Sequence, residues 1–351
     1  MSRLLEVAGG LTYEASGVSI AAGDAAVARF APLAAAATRP EVLGGIGGFA
    51  GMVGLPSGLR EPVLVASADG VGTKLAVAQE MGRWDTVGVD LVAMLVDDLV
   101  CLGAEPLFVL DYLAVGHLEP AREAAIVAGV ATGCRAAGAA LLGGETAEHA
   151  GVMTPGEVDL AGFAVGVLER GTELGSARVR AGDVLVGLAS PNLRSNGFSL
   201  VRRALLGPGS DLAAPAYPGA PRSLGDELLD PSVIYAPAVL AVRAALGARL
   251  HAAAHITGGG IVGNVARVLA PGLDATIDLA SFPTPEIFFE IQRRGPVDAR
   301  EMVRVFNCGL GMVLALEETA AAEAVALLAS AGVAAGVVGR LEVGAGDVRV
   351  A

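Results

Sequence analysis

Cysteine and basic residues are scarce in this sequence, and each shortage excludes a class of protein. Among 351 residues there are three cysteines, widely separated along the chain, so neither a disulfide framework nor a zinc site is indicated. Lys and Arg total 24 against 37 Asp and Glu, which gives a net charge of −13. Binding to a nucleic-acid backbone requires concentrated positive charge, so we expect no nucleic-acid partner. The acidity instead suits a small anion bound through a metal ion.

Long apolar runs are also absent, and aromatic residues are few. Hydrophobic residues make up 53% of the chain, but no stretch approaches the ~20 apolar residues of a membrane-spanning helix. The first six residues lack the apolar region of a signal peptide, so we expect a soluble, cytoplasmic protein with no membrane partner. Only 4% of the residues are aromatic, which predicts an aliphatic core of Ala-rich helices packed on a sheet.

Predicted strands and helices alternate in both halves of the chain. This alternation indicates an α/β (α+β) fold, and the length suits two domains of about 150–180 residues each. The best boundary is the polar, charged segment 169–182, which follows a predicted strand at 158–168. We therefore expect an N-terminal domain at residues 1–170 and a C-terminal α/β domain, a sheet with helices, at residues 171–351.

The most informative stretch is the octapeptide Ser67 to Lys74, which follows the apolar run 62–66. Its inner residues include Asp69, Gly70, Val71, Gly72 and Thr73. An acid at a strand end can hold a divalent metal, glycine amides can approach phosphate, and Lys74 can offer a cation. The spacing matches neither a Walker loop nor the dinucleotide fingerprint. Two interpretations therefore stay open, a nucleotide-phosphate site and a plain glycine turn with a solvated lysine.

Two further segments of the first half suit a nucleotide. Residues 43–54 contain six glycines, and such a segment is either a flexible flap over a ligand or a simple connection. A predicted strand at 139–142 opens onto two glycines followed by Glu145 and Thr146, so a second strand end carries glycine and an acid. Upstream, Asp24 precedes an Ala-rich helical pattern and is a candidate N-cap.

A helical run at 90–102 carries Asp97 and Asp98 among apolar residues. Two adjacent carboxylates inside an apolar helix are costly unless a cation, a metal ion or hydrogen-bond donors satisfy them. Consecutive helical residues point ~100° apart, so at most one of the two needs to face a site. We expect a functional role here, although the other acid can simply be solvated.

The second half carries three short polar segments. Arg194, Ser195 and Asn196 follow a predicted strand at 184–189, and His255 precedes three glycines that open a helix. A glycine-rich helix N-terminus suits an anion. A single histidine is more often structural than catalytic, but the neighbouring glycines favour a functional role for His255.

Six motifs in a fixed order carry a family resemblance. They are Asp-Gly-Val-Gly-Thr-Lys, Gly-Ala-Glu-Pro-Leu-Phe, Gly-Gly-Glu-Thr-Ala-Glu, Ser-Asn-Gly-Phe-Ser-Leu-Val-Arg, His-Ile-Thr-Gly-Gly-Gly and Phe-Asn-Cys-Gly-Leu-Gly-Met. Together they resemble the phosphoribosylformylglycinamidine cyclo-ligase family, the aminoimidazole ribonucleotide synthetases of purine biosynthesis. The resemblance runs from Tyr13 to the last predicted strands. It implies two α/β domains, with N-terminal-domain strands of two subunits closing a barrel-like core of a homodimer.

The resemblance also implies a reaction with ATP and Mg²⁺ as requirements. The formyl oxygen of formylglycinamidine ribonucleotide is phosphorylated, the amidine nitrogen then attacks, and phosphate leaves. Such chemistry needs a metal clamp on the triphosphate, cations near the transferring phosphoryl group, and two reacting groups held in register.

Taken with these patterns, the resemblance points to specific residues. The catalytic set is Asp69, Lys74, Asp98 and His255, and the metal set is Asp69, Asp97 and Asp98, with Asp98 as the acid that faces the metal. The nucleotide-binding set is Asp24, Gly44, Gly45, Gly47, Gly48, Gly70, Val71, Gly72, Thr73, Glu145 and Thr146. The substrate-binding set is Arg194, Ser195, Asn196, Gly258, Gly259 and Gly260.

Four positions depart from the family's commonest pattern. Glu14 stands where Lys is usual, Ser19 where Asp is, Asp97 where Asn is, and Arg194 where a His precedes Ser-Asn-Gly. Arg194 replaces a possible proton carrier with a fixed cation, and Glu14 reverses a charge near the predicted flap. Two alternatives also remain, another ATP-dependent kinase or synthetase of the same superfamily and a non-catalytic nucleotide-binding relative.

Overall fold

The computed structural model describes residues 11–351, and the first half of this range is built on a four-stranded sheet. Its strands are β1 (Pro62–Gly70), β2 (Glu105–Val115), β3 (Ala140–Glu148) and β4 (Val158–Glu169), in the spatial order β1-β4-β2-β3. Strands β2 and β3 run parallel, whereas β4 is antiparallel to both of its neighbours. The helices of this half are α1 (Ile20–Ala36), α2 (Leu75–Met81), α3 (Val87–Cys101) and α4 (Pro120–Ala137).

The second half is built on a six-stranded mixed sheet. Its strands are β5 (Val184–Ala189), β6 (Leu250–His255), β7 (Leu273–Ile277), β8 (Leu310–Leu316), β9 (Ala335–Val343) and β10 (Val348–Val350), in the order β10-β7-β9-β5-β8-β6. The helices are α5 (Phe198–Leu205), α6 (Leu224–Leu228), α7 (Ala236–Leu246), α8 (Gly260–Val265), α9 (Glu286–Arg294), α10 (Ala299–Val305) and α11 (Ala321–Ser330). The chain is therefore a mixed α/β protein with two sheets.

Helix α3 lies between the two halves. It packs against α4, β1 and β4 of the first half, and against β6 and α7 of the second. Nearly all of its residues are buried, which is typical of a helix that is apolar on every side. The acids on this helix are therefore held at the junction between the two halves.

Glycine allows α3 and α4 to cross closely. A Cβ atom added at Gly88 would lie 2.2 Å from the backbone nitrogen of Val130, and one added at Gly129 would lie 2.6 Å from the backbone oxygen of Asp85. Because the two backbones touch at this point, no larger residue fits at either position.

Among residues 11–351, the two faces of the four-stranded sheet differ in how they are covered. Helix α3 packs on the face that contains Gly162, where a Cβ atom would meet Leu91 and Leu95. On the opposite face Leu64 and Phe163 remain 61% and 53% exposed. Two large apolar side chains of this face are therefore accessible to solvent.

The predicted elements agree with the structure in most places, but the cap of the first helix was wrong. Helix α1 begins at Ile20, and its N-cap is Ser19, whose Oγ accepts a hydrogen bond from the Ala22 N–H at 3.3 Å. Asp24 lies within the helix with its side chain exposed, because the helix begins four residues before it, at Ile20. No helix in residues 11–351 is long and apolar enough to cross a membrane.

Candidate active site at the junction of the two halves

Helix α3 presents three acids to the second half of the chain, at positions 90, 97 and 98. Asp90 and Asp97 are fully buried, whereas the Asp98 side chain is 43% exposed. Asp90 and Asp97 are seven residues apart and so lie on one face of the helix, and Asp98 lies ~100° around from Asp97. Each acid has its own partners, and these define the candidate site.

Lys74 is bound to the first of these acids and is not open to a ligand. Its side chain is completely buried, and Nζ lies 2.7 Å from Oδ2 of Asp90. Nζ also donates hydrogen bonds to the backbone oxygens of Arg194 and Asp230, at 3.1 and 2.9 Å. The prediction that Lys74 supplies a cation to phosphate is therefore not supported, because all of its donors are used in joining the two halves.

Asp97 is enclosed by the second half, which argues against its predicted role as a metal ligand. Its Oδ1 accepts hydrogen bonds from the backbone N–H groups of Tyr235 and Ala236, at 2.8 and 3.0 Å. Its Oδ2 accepts one from the Arg194 guanidinium at 2.8 Å. Both oxygens of Asp97 are therefore occupied. One accepts from the free backbone N–H groups at the N-terminus of α7, and the other neutralises the buried guanidinium of Arg194.

Arg194 was predicted to bind substrate, but its side chain is enclosed by the protein in the same way as that of Asp97. Its side chain is fully buried, it donates to the backbone oxygen of Val233 at 2.7 Å, and its guanidinium lies 4.8 Å from the ring centroid of Tyr235. Its φ of 58° is in the left-handed region, which is uncommon for a residue with a side chain. The guanidinium of Arg194 therefore belongs to the buried junction between the two halves.

His255 joins Arg194 to Asp98. Nη2 of Arg194 lies 2.8 Å from Nε2 of His255, and Nδ1 of His255 lies 2.8 Å from Oδ1 of Asp98. Because a guanidinium can only donate, Nε2 accepts and the ring proton must sit on Nδ1, where it donates to Asp98. Both ring nitrogens are occupied, so His255 orients Asp98.

Asp69 and Asp98 are the two acids of the predicted metal set that remain available. Burial raises the pKa of Asp69, the Gly70 N–H that donates to its Oδ1 at 2.7 Å lowers it, and the nearby charge of Asp98 raises it again. Within residues 11–351 no group of three or more His, Cys, Asp or Glu side chains is arranged to hold a metal ion. Of the three predicted metal ligands, Asp69 and Asp98 are therefore the two whose charges influence each other at the junction.

The start of α5, just after the predicted substrate-binding residues Arg194, Ser195 and Asn196, contacts the octapeptide. Thr73 Oγ1 and Ser199 Oγ are 3.2 Å apart. Nearby, Ser195 Oγ and Asn196 Oδ1 are buried and have no hydrogen-bond partner in the part of the chain that the structure describes. Buried polar atoms that have no partner within the protein suit a polar ligand.

The three glycines after His255 are arranged less favourably for an anion than predicted. Gly258 and Gly259 are exposed, but Gly260 is buried, and a Cβ atom there would lie 2.3 Å from the Val303 backbone oxygen. The helix that follows, α8, has only six residues, so its dipole is weak.

A large cavity of about 770 Å³ lies in the first half, beside β2 and β3. Its lining includes the predicted nucleotide residues Gly45, Gly47, Gly48, Glu145 and Thr146. The predicted residues Asp24, Gly44, Gly70, Val71, Gly72 and Thr73 do not line it. The predicted nucleotide set thus divides into a cavity group and an octapeptide group.

Three residues were not predicted from the sequence, two at the junction of the halves and one in the cavity. Asp90 had no signal beyond being an acid in an apolar helix, and Tyr235 had none. Asp111 stands at the end of the apolar run 107–110, which is the same strand-end signal that selected Asp69. This buried carboxyl lines the cavity.

Two family models and several curated proteins match most of this chain. Residues 55–168 match the family model of the AIR synthase related protein N-terminal domain, and residues 180–350 match that of the C-terminal domain. The chain is 50% identical over 338 residues to a phosphoribosylformylglycinamidine cyclo-ligase of Sorangium cellulosum, covering 96% of this chain and 97% of that protein. It is 51% identical over 340 residues to the Myxococcus xanthus enzyme of the same name, covering 96% and 98%. The chain belongs to the phosphoribosylformylglycinamidine cyclo-ligase family.

More distant solved structures share the fold of this family. Thiamine-monophosphate kinase from Stenotrophomonas maltophilia K279a is 21% identical with a TM-score of 0.65, covering 95% of this chain and 96% of that one. The hydrogenase maturation protein HypE in complex with ATP is 16% identical with a TM-score of 0.64, covering 91% and 88%. At these identities the similarity concerns the fold alone.

Proposed function

We propose that this protein is an ATP-dependent cyclo-ligase that closes formylglycinamidine ribonucleotide to 5-aminoimidazole ribonucleotide, with release of ADP and phosphate. The observation that carries the proposal is the pair Asp69 and Asp98, held at the junction of the two halves within a chain about 50% identical to named cyclo-ligases. The acids suit the phosphate end of a nucleotide, and the cavity beside β2 and β3 suits its other end.

The two acids fit Mg²⁺. Magnesium is usually bound through one or two carboxylates, with phosphate oxygens and waters completing the shell. Asp69 and Asp98 supply that number, and Asp98 is exposed enough to meet a ligand. When bound, Mg²⁺ would neutralise charge on the triphosphate.

The protein's own residues position the reacting groups. His255 holds the Asp98 carboxylate through Nδ1–H, and Arg194 fixes that tautomer. Ser195 and Asn196 offer unpaired polar atoms to the ribonucleotide substrate beside the octapeptide. Holding the formyl oxygen near the γ-phosphate, and the amidine nitrogen near the formyl carbon, supplies the proximity that such a reaction requires.

We further propose that the open face of the four-stranded sheet forms a homodimer core. Leu64 on β1 and Phe163 on β4 project from this face. Four strands from each of two copies would close a barrel and remove the exposed apolar surface. A cytoplasmic location is part of the same proposal.

The function is tested by incubating the protein with formylglycinamidine ribonucleotide, ATP and Mg²⁺ and measuring aminoimidazole ribonucleotide. Asp69→Asn should stay folded by circular dichroism and lose at least about 100-fold in turnover, because the amide keeps the shape of the strand end but lacks the charge that binds a hard cation. Turnover near the wild-type rate in this variant would refute the assignment.

A further inference from the structure

The cavity beside β2 and β3 suits the uncharged end of a nucleotide. It lies between residues 45–51, α1 and the two strands, and is lined mostly by apolar side chains, including Phe30 and Phe108. None of the described residues that line it is a Lys, Arg or His. A triphosphate would lack cationic partners here, whereas a flat aromatic base would be surrounded by apolar groups.

Asp111 is the buried acid of this cavity. It is only 8% exposed and lies on the helix-facing side of β2, opposite Gly162 of β4. The neighbouring Gly144 leaves room for it, since a Cβ atom there would lie 2.2 Å from Oδ1 of Asp111. Within residues 11–351 no side chain of another residue forms a hydrogen bond or ion pair with this carboxyl.

An unpartnered carboxyl is costly in such surroundings. Burial raises the pKa of Asp111 to about 7, and the hydrogen bond from its own backbone N–H only partly opposes the rise. The thiol of Cys134 on α4 lies near enough for the Asp111 charge to contribute to raising its pKa. Since no other side chain of the described residues pairs with this carboxyl, it has acceptor capacity left for a ligand in the cavity.

We propose that Asp111 recognises the purine base of the nucleotide by accepting a hydrogen bond from the exocyclic 6-amino group. This inference rests on the proposed use of ATP and names the residue that selects it. The base is preferred to the ribose as the partner of Asp111 because the acid is deep among apolar residues. Glu145, an exposed acid of the same cavity, is better placed for ribose hydroxyls.

The chemistry of the 6-position gives a sharp test. Inosine triphosphate has a 6-oxo group in place of the amine, so at an assay pH of about 8, where Asp111 is mostly ionised, its carboxylate would face another acceptor. Asp111→Asn has nearly the same shape but carries an amide that can donate to a 6-oxo group. The variant should therefore lose its preference for ATP over inosine triphosphate by about 10- to 100-fold, the scale of one hydrogen bond to a charged group.

The experiment compares kcat/KM for ATP, inosine triphosphate and 2′-deoxyATP in the wild type, Asp111→Asn and Asp347→Asn. Asp347→Asn removes one exposed acid of the second half and should leave every ratio unchanged. Calorimetric titration of the same nucleotides without the second substrate gives the ratios independently of turnover. A wild type that binds nucleotides but makes no product would refute the proposed function and still allow Asp111 to be tested.

Two results would overturn the role of Asp111. One is an unchanged ratio of ATP to inosine triphosphate in Asp111→Asn, with the variant folded by circular dichroism. The other is a change confined to the ratio of ATP to 2′-deoxyATP, which would assign Asp111 to the ribose. A loss of the preference for ATP in both kinetics and calorimetry supports the proposal.

Discussion

Replacement of Asp97 by alanine should destabilise this protein strongly, although the residue contributes no group to the active site. The Arg194 guanidinium and the Asp97 carboxylate are both fully buried and 2.8 Å apart. Removing one partner of a buried pair costs about 3–5 kcal/mol, because the other charge stays unpaired. The N–H groups of Tyr235 and Ala236 would also lose their acceptor, at about 1–3 kcal/mol for a buried donor.

We therefore expect Asp97→Ala to lose at least about 4 kcal/mol of the 5–15 kcal/mol that typically stabilises a folded protein. Urea unfolding followed by circular dichroism measures this loss. Asp98→Ala is the matched control at the next position, because that side chain is 43% exposed and should cost about 1 kcal/mol. A loss below about 1 kcal/mol in Asp97→Ala, or equal losses in both variants, would refute this account of the buried pair.

Three further predictions concern Lys74, residues 43–54 and Asp111. Lys74→Met should lower the unfolding free energy by about 3–5 kcal/mol because it leaves Asp90 buried and unpaired; a stable but inactive variant would instead favour a direct phosphate contact. Residues 43–54 should become resistant to protease when Mg²⁺ and a non-hydrolysable ATP analogue bind, and unchanged cleavage there would favour a simple connection. The pKa of Asp111 is about 7 in the folded protein, against an ordinary value of 3.8. As pH rises from about 4 to about 7, the wild type should therefore lose up to about 4 kcal/mol of stability relative to Asp111→Asn. Melting temperatures of the two proteins that stay parallel between pH 5 and pH 8 would contradict this prediction.

The sequence was sufficient for the element order because each element has a local signal. Strand β5 was predicted at 184–189 and is found there, and α4 ends at Gly138, which adopts the left-handed conformation expected of a C-terminal glycine. Errors fell at the bounds of elements, since the strand predicted at 139–142 is β3 (Ala140–Glu148). The pattern of residues 231–246 predicts a helix over that whole range, but α7 begins at Ala236, because its N-terminus is set by Asp97 on a distant helix. The domain boundary near residue 170 stays a prediction.

The roles of charged residues were less predictable than the elements that carry them. An acid or a lysine near a glycine motif has the same local pattern whether it faces a ligand or a partner 120 residues away. Lys74 and Asp97 both carried functional signals, and both are used to join the two halves. Only the fold reveals which charges pair within the protein, and Asp69 and Asp98 are the two that remain.

The same pairing explains how this chain accommodates an arginine at a position where the resemblance leads us to expect histidine. Arg194 is longer than histidine and always charged, so burying it requires an anion and further acceptors. Asp97, where the resemblance leads us to expect asparagine, supplies the anion, and Val233 and His255 accept two further hydrogen bonds. Nε of Arg194 is buried without a partner among the described residues. The two departures are therefore coupled, since an asparagine at 97 would leave the guanidinium without a counter-charge. Arg194→His should consequently be tolerated better in an Asp97→Asn background than alone, and additive losses of stability in the double variant would contradict this coupling.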